Sequence, residues 1–78
     1  MKLKDFLFNL ICEGYTVEQV VSTRFRARKL DRKYEIAPLD APTPNRWGIG
    51  RVDKFSYGAR YLSDPIPIEQ FDARNFDY

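Results

Sequence analysis

The apolar residues of this chain change their spacing at Gly14, and this change constrains the fold more than any other feature. Before Gly14 they recur every three or four positions, as on one face of an amphipathic helix. They are Leu3, Phe6, Leu7, Leu10 and Ile11. We therefore predict a helix from about Lys2 to Glu13 that ends at Gly14, because a left-handed residue commonly terminates a helix.

A second pair of apolar residues, Phe8 and Cys12, lies on a different flank of this helix. Either the helix is buried over a wide arc, or the pair contacts a partner. We favour burial, because a small domain wraps its one long helix deeply. Self-association through Phe8 and Cys12 is the alternative.

Beyond Gly14 the apolar residues alternate with polar ones from Tyr15 to Arg28, with Val20 as the exception. Alternation with many β-branched residues favours one long strand. A second interpretation remains open, because Thr16 and Gln19 match a capping box and would begin a second helix at Val17.

Three further strands are predicted at 34–37, 47–52 and 55–61, with a proline-rich loop after the first of them. Gly48 and Gly50 indicate a bulge or a close approach of another segment to the backbone. A short helix is predicted from Ile68 to Arg74. The fold class is therefore α+β, with an N-terminal helix packed on a mostly antiparallel four-stranded sheet.

The chain has 78 residues, which is the size of one small domain spanning 1–78. It has a single cysteine and no histidine, so an internal disulfide and the usual Cys/His zinc site are excluded. We expect no metal and no other cofactor. No apolar stretch is long enough to span a bilayer, so we expect no membrane partner and a cytoplasmic location.

Charge is distributed unevenly along the chain. Residues 20–62 contain ten basic and four acidic residues, which gives +6. Residues 63–78 contain one basic and four acidic residues, which gives −3, and prolines interrupt this acidic tail. The tail could cover the basic region, or it could bind a partner. Its aromatic residues lead us to expect that Phe71 to Tyr78 folds back or contacts a partner.

Arg24, Arg26 and Arg28 occupy every second position, so a strand would align them on one face. Guanidinium groups in a row are suited to phosphate or carboxylate, although a solvated sheet face has the same pattern. Trp47, Tyr57 and Tyr61 could stack on bases of single-stranded nucleic acid, or they could fill the core. The candidate residues for binding a partner or polyanion are Arg24, Arg26, Arg28, Lys29, Arg32, Lys33, Trp47, Arg51 and Arg60.

The sequence contains no catalytic motif. The segment Gly48-Ile49-Gly50 lacks the downstream glycine and lysine of a phosphate-binding loop. Cys12 has no histidine to activate it, and the carboxylates are scattered singly. We therefore expect that the protein is not an enzyme.

Residues 13–22, Glu-Gly-Tyr-Thr-Val-Glu-Gln-Val-Val-Ser, resemble the start of the second helix in a helix-turn-helix domain. The resemblance implies that residues 24–33 fall around a recognition helix and that residues 47–61 form a wing hairpin. It implies a DNA- or RNA-binding regulator.

The whole chain is similar in profile to small phage-encoded inhibitors of host machinery, including anti-CRISPR proteins. The similarity lies in size, α+β pattern, lack of catalytic groups and an aromatic, charged surface. It implies a non-enzymatic protein that occupies the surface of a host protein or nucleoprotein complex in the host cytoplasm. Direct nucleic-acid binding is the alternative function.

Overall fold

The computed structural model describes residues 2–40, 45–55 and 61–74. One helix precedes a five-stranded antiparallel sheet, in which the strands lie side by side in chain order. The elements are α1 (Leu3–Cys12), β1 (Thr16–Val21), β2 (Arg24–Lys29), β3 (Arg32–Pro38), β4 (Trp47–Arg51), β5 (Ile66–Pro67) and a 3₁₀ helix (Ile68–Gln70). The predicted α+β class is confirmed, with five strands instead of four.

Helix α1 and its end are as predicted. Phe6 and Leu10 are buried, and Gly14 has a φ of 96°. The Tyr15 N–H donates to the Leu10 carbonyl at 2.9 Å, which satisfies one of the carbonyl groups at the end of the helix. Among the described residues, no helix combines the length and the apolar character needed to cross a membrane.

The expected burial of Phe8 and Cys12 is wrong. Phe8 is 63% exposed and Cys12 is exposed, while Ile11 of the predicted apolar face is 54% exposed. The sheet contacts one side of α1, and residues 71–74 contact one flank of the helix. Only a narrow strip of the helix surface is therefore buried. The self-association proposed for Phe8 and Cys12 stays a prediction.

The single long strand predicted from Tyr15 to Arg28 is also wrong. The segment forms a hairpin, in which Ser22 and Thr23 make the turn between β1 and β2. The register shifts between Gln19 and Val21, so β1 has one extra residue there, a β-bulge. The alternative second helix from Val17 is not formed either, because these residues belong to β1.

The core lies between α1 and one face of the sheet. Tyr15, Ala27, Tyr34, Ile36 and Ile49 supply the sheet side of this core. Residues that follow β5 close it, because Ile68 is 1% exposed. The Phe71 ring packs edge-on against Phe6 and Tyr34, with centroids 6.0 and 5.0 Å away.

Of the segment expected to fold back, Phe71 to Tyr78, Phe71 packs in the core between α1 and the sheet and does not cover the arginines, while residues 75–78 lie outside the described residues. The prolines do not exclude the acidic tail from the sheet. Ile66 and Pro67 pair with β4 as a two-residue edge strand, and an edge strand tolerates the missing N–H of proline. The predicted helix at Ile68 is reduced to three residues.

The close approach predicted at the two glycines of β4 is confirmed. A Cβ at Gly50 would lie 2.4 Å from the Tyr61 ring, and one at Gly48 would lie 2.5 Å from a Leu39 methyl group. Of the strand predicted at 55–61, residues 56–60 lie outside the described residues, and Tyr61 forms an isolated bridge with Val52.

We predict that Phe71→Ala lowers the free energy of unfolding by about 3–5 kcal/mol, because it removes a buried ring from the core. Urea unfolding measures the loss, and Phe71→Leu should cost less because it keeps most of the volume. Glu69→Ala, an exposed change close by, is the control. Equal stability of Phe71→Ala and Glu69→Ala would contradict the placement of the tail in the core.

A second prediction concerns Tyr15, which is 4% exposed. Burial, assisted by the neighbouring Tyr34, raises the pKa of the Tyr15 phenol above its ordinary value of 10.0. The folded state then holds this proton more tightly than the unfolded chain, so stability should fall as pH rises above about 10. Urea unfolding between about pH 7 and about pH 12 should show a shallower alkaline loss for Tyr15→Phe than for the wild type. Identical slopes would contradict this prediction.

Candidate functional site

The predicted row of arginines forms on one face of the sheet. Phe25 and Ala27 of β2 contact the core, so Arg24, Arg26 and Arg28 lie on the opposite face, away from α1. Lys33 of β3 is paired with Arg28 and lies on the same face. We call the face that carries these four cations the arginine face.

Three other predicted binding residues lie on the helix side of the sheet. Lys29 pairs with Arg32, and Arg51 pairs with the buried Tyr34. Lys29 Nζ donates to the Glu13 carbonyl at 2.7 Å and lies 5.6 Å from the centre of the Tyr15 ring. Lys29 therefore stabilises the end of α1, as cations near a helix C-terminus do. Arg60 lies outside the described residues.

The aromatic candidates are also divided between the two faces. Trp47 is half-buried on the helix side, where its ring meets the Phe25 ring edge-on at 5.9 Å. Tyr61 lies on the arginine-face side, where its ring packs on the backbone of Gly50. Tyr57 lies outside the described residues. Trp47 thus has a packing role, and Tyr61 is the described candidate ring that remains near the arginines.

A buried carboxylate organises the arginine face. Glu35 is 3% exposed, and one of its oxygens lies 3.5 Å from Arg26 Nε and 3.9 Å from Arg24 Nη1. The carboxylate sits between the two guanidinium groups and restricts both of them, since charge-assisted contacts are directional. Sequence analysis missed Glu35, because an acidic residue that alternates with Tyr34 and Ile36 has the pattern of an ordinary solvent-exposed sheet face.

Phe55 is the second residue that sequence analysis missed. The guanidinium carbon of Arg26 lies 5.2 Å from the centre of the Phe55 ring, within the range of a cation–π contact. Glu35 and Phe55 together fix Arg26, whose side chain is only 21% exposed. No pattern in the sequence connects Phe55 to β2, because the contact depends on the path of the chain after β4.

The next cross-strand pair after Arg26 and Glu35 consists of two cations, whose charges are less well compensated. Arg28 and Lys33 lie directly opposite each other, and the described residues provide neither of them with an ion pair. Like charges directly opposite each other in a sheet destabilise it. Thr16 lies on the other side of Arg28, beside an open cavity of about 360 Å³ that Arg28 also lines. An anionic group bound here would relieve the repulsion.

The charges of the arginine face form a mixed pattern. Glu18, Arg26 and Glu35 make one row across β1, β2 and β3, and Arg28 with Lys33 makes the next row. On these strands the face therefore has four cations and two carboxylates. Such a pattern fits a partner with both kinds of charge better than one with a uniform charge.

Comparisons of the chain with protein-family models, with characterised proteins and with solved structures find no match.

We predict that Glu35→Gln lowers the free energy of unfolding by about 1–3 kcal/mol, because it leaves Arg24 and Arg26 without their buried counter-charge. Glu18→Gln is the matched control, since Glu18 lies in the same row but is exposed, and it should change stability by less than about 0.5 kcal/mol. Urea unfolding measures both. Equal effects of the two substitutions would show that Glu35 is not a structural counter-charge.

Proposed function

We propose that this protein is a non-enzymatic binding protein that uses the arginine face to occupy a surface of a host protein or nucleoprotein complex. The observation that carries the proposal is the alignment of Arg24, Arg26, Arg28 and Lys33 on the sheet face that the core does not use. These side chains are not needed to cover α1 or to fill the interior. Arginine contributes strongly to protein interfaces when a partner desolvates it.

The fixed geometry of Arg24 and Arg26 supports a protein partner. Glu35 and Phe55 hold Arg26 before binding, so less side-chain entropy is lost when a partner contacts it. The acidic groups of this partner would interact chiefly with Arg28 and Lys33, whose charges lack compensation among the described residues. The action is stoichiometric, as in the phage inhibitors that the chain resembles in profile.

Direct binding of DNA or RNA is the second candidate function, and the uncompensated Arg28–Lys33 pair favours it. A phosphate backbone presents a uniform negative charge, and binding requires several cations along one track. Glu18 and Glu35 interrupt that track, and Lys29, Arg32 and Arg51 lie on the other side of the sheet. The mixed pattern makes a protein surface the better match.

The test is charge reversal on each side of the sheet. We predict that Arg28→Glu and Lys33→Glu each reduce capture of the partner by at least about tenfold in a pull-down from nuclease-treated host lysate. Lys4→Glu makes the same change of charge on an exposed position of α1 and should leave capture unchanged. Equal capture by all three variants would exclude the arginine face as the binding surface.

An electrophoretic shift assay separates the two candidate functions. Duplex and single-stranded probes at about 50 mM and about 200 mM salt should give no shift if the partner is a protein surface. A shift that weakens steeply with salt and disappears in Arg28→Glu would establish direct nucleic-acid binding in its place.

A further inference from the structure

Strand β1 leaves one edge of the sheet open. It is the first strand of the sheet, and the described residues place no strand beyond it. Five of its six residues are exposed, and it contains neither proline nor lysine. Its β-bulge lies after Gln19, so Thr16 to Gln19 remains a regular stretch of edge. An open edge of β-branched residues is a template for pairing with another strand.

The structure shows which residues of β1 direct their backbone groups outward. Val52 N–H donates to the Lys33 carbonyl at 2.9 Å, so Lys33 faces β4 and its neighbour Arg28 faces β1. Backbone groups alternate in direction along an antiparallel strand. Thr16 therefore bonds to Arg28, and Val17 presents its N–H and C=O at the open edge.

An exposed apolar residue of α1 lies above this edge. Residues 71–74 flank α1 on the side of Asn9 and Cys12, and Phe71 contacts Tyr34 in the middle of the sheet. The opposite flank of the helix, by its 3.6-residue turn, carries Ile11 and faces β1. Ile11 is 54% exposed.

We propose that β1 pairs antiparallel with β1 of a second copy of this chain, about a two-fold axis at Val17. In this register Glu18 of the second copy lies opposite Thr16, at the cavity that Arg28 lines. Two strand spacings, about 10 Å, separate Glu18 of that copy from Arg28, and the two long side chains meet above the small Thr16. The contact supplies the negative charge that the Arg28–Lys33 pair lacks.

Neighbouring registers do not offer this complementarity. An axis at Glu18 would place two carboxylates directly opposite each other, which destabilises a strand pair. An axis at Gln19 would place Glu18 opposite Val20 and would leave Arg28 without a partner. The axis at Val17 is the register in which the Glu18 carboxylate of each copy lies near the Arg28 guanidinium of the other.

A second copy fits the whole surface better than an isolated peptide does. A peptide could pair with the edge, but it would leave the α1 flank exposed. The two-fold axis brings both α1 helices to the same side of the joined sheet, so Ile11 of each copy faces the other copy. The arginine faces then lie together on the other side, but the pairing does not depend on what they bind.

Sedimentation velocity over about 10 µM to about 1 mM protein tests the association. We expect a dimer whose dissociation constant rises at least about tenfold in Ile11→Asp. Leu62→Asp is the matched control, because Leu62 is 58% exposed and distant from β1 in the sheet, and it should leave the dissociation constant unchanged. A monomer at every concentration, or equal weakening by both substitutions, would overturn the proposal.

Disulfide trapping tests the register. In a Cys12→Ser background, Val17→Cys places two cysteines at the axis, with Cα atoms about 5.5 Å apart, within the range of a disulfide. We expect Val17→Cys to cross-link on mild oxidation and Gln19→Cys to remain monomeric in denaturing electrophoresis. The reverse result, or no cross-link from either variant, would refute the axis at Val17. Arg28 takes part in both proposals, so Lys33→Glu is the variant that tests capture of the partner and Ile11→Asp is the variant that tests pairing, and either proposal can then fail without the other.

Discussion

One extra residue in β1 brings the core-facing side chains of β1 and β2 to the same side of the sheet. The turn at Ser22 and Thr23 sets Val21 opposite Arg24, and without a bulge this register would place Arg26 opposite Gln19. Val17 and Ala27 would then lie on opposite faces, so one of the two strands would lose its apolar residues from the core. The bulge between Gln19 and Val21 shifts the register so that Phe25 lies opposite Gln19. Both the core and the arginine face depend on this shift.

The same bulge explains why the hairpin was predicted as a single strand. Across a two-residue turn, odd-numbered residues of one strand share a face with even-numbered residues of the next. The extra residue in β1 cancels this exchange. Odd-numbered residues such as Val17 and Ala27 therefore stay on one face through both strands, as they would in one long strand. Ser22 and Thr23 give no glycine, asparagine or proline signal for a turn. The faces of Arg24, Arg26 and Arg28 were predictable from sequence, whereas the chain reversal was not.

The rest of the candidate site depended on contacts that sequence spacing does not show. Lys29 lies on the helix side because it alternates with Arg28 along β2, and Arg32 joins it there because the turn at Leu30 and Asp31 reverses the face without a compensating bulge. Leu30 adopts a φ of 58° there although it is not glycine. Glu35 and Phe55 reach Arg26 through strand pairing and the segment after β4, respectively, so local pattern could not identify them. Helix α1 was predictable because the spacing of its apolar residues is a local pattern. Strand β5 was not predictable, because two residues are too few to show an alternating pattern.

The contact between Phe6 and Phe71 joins residues near opposite ends of the described chain. During translation, α1 and the strands it packs on are synthesised before Phe71, so the part of Phe6 that Phe71 covers is the last part of the core to be closed. Domains complete their folding only when all the segments of their core are available, and uncovered apolar surface in the interval attracts chaperones or promotes aggregation. The nascent protein is therefore most vulnerable before its final strand and Phe71 emerge, and rare codons placed upstream of them would prolong that interval.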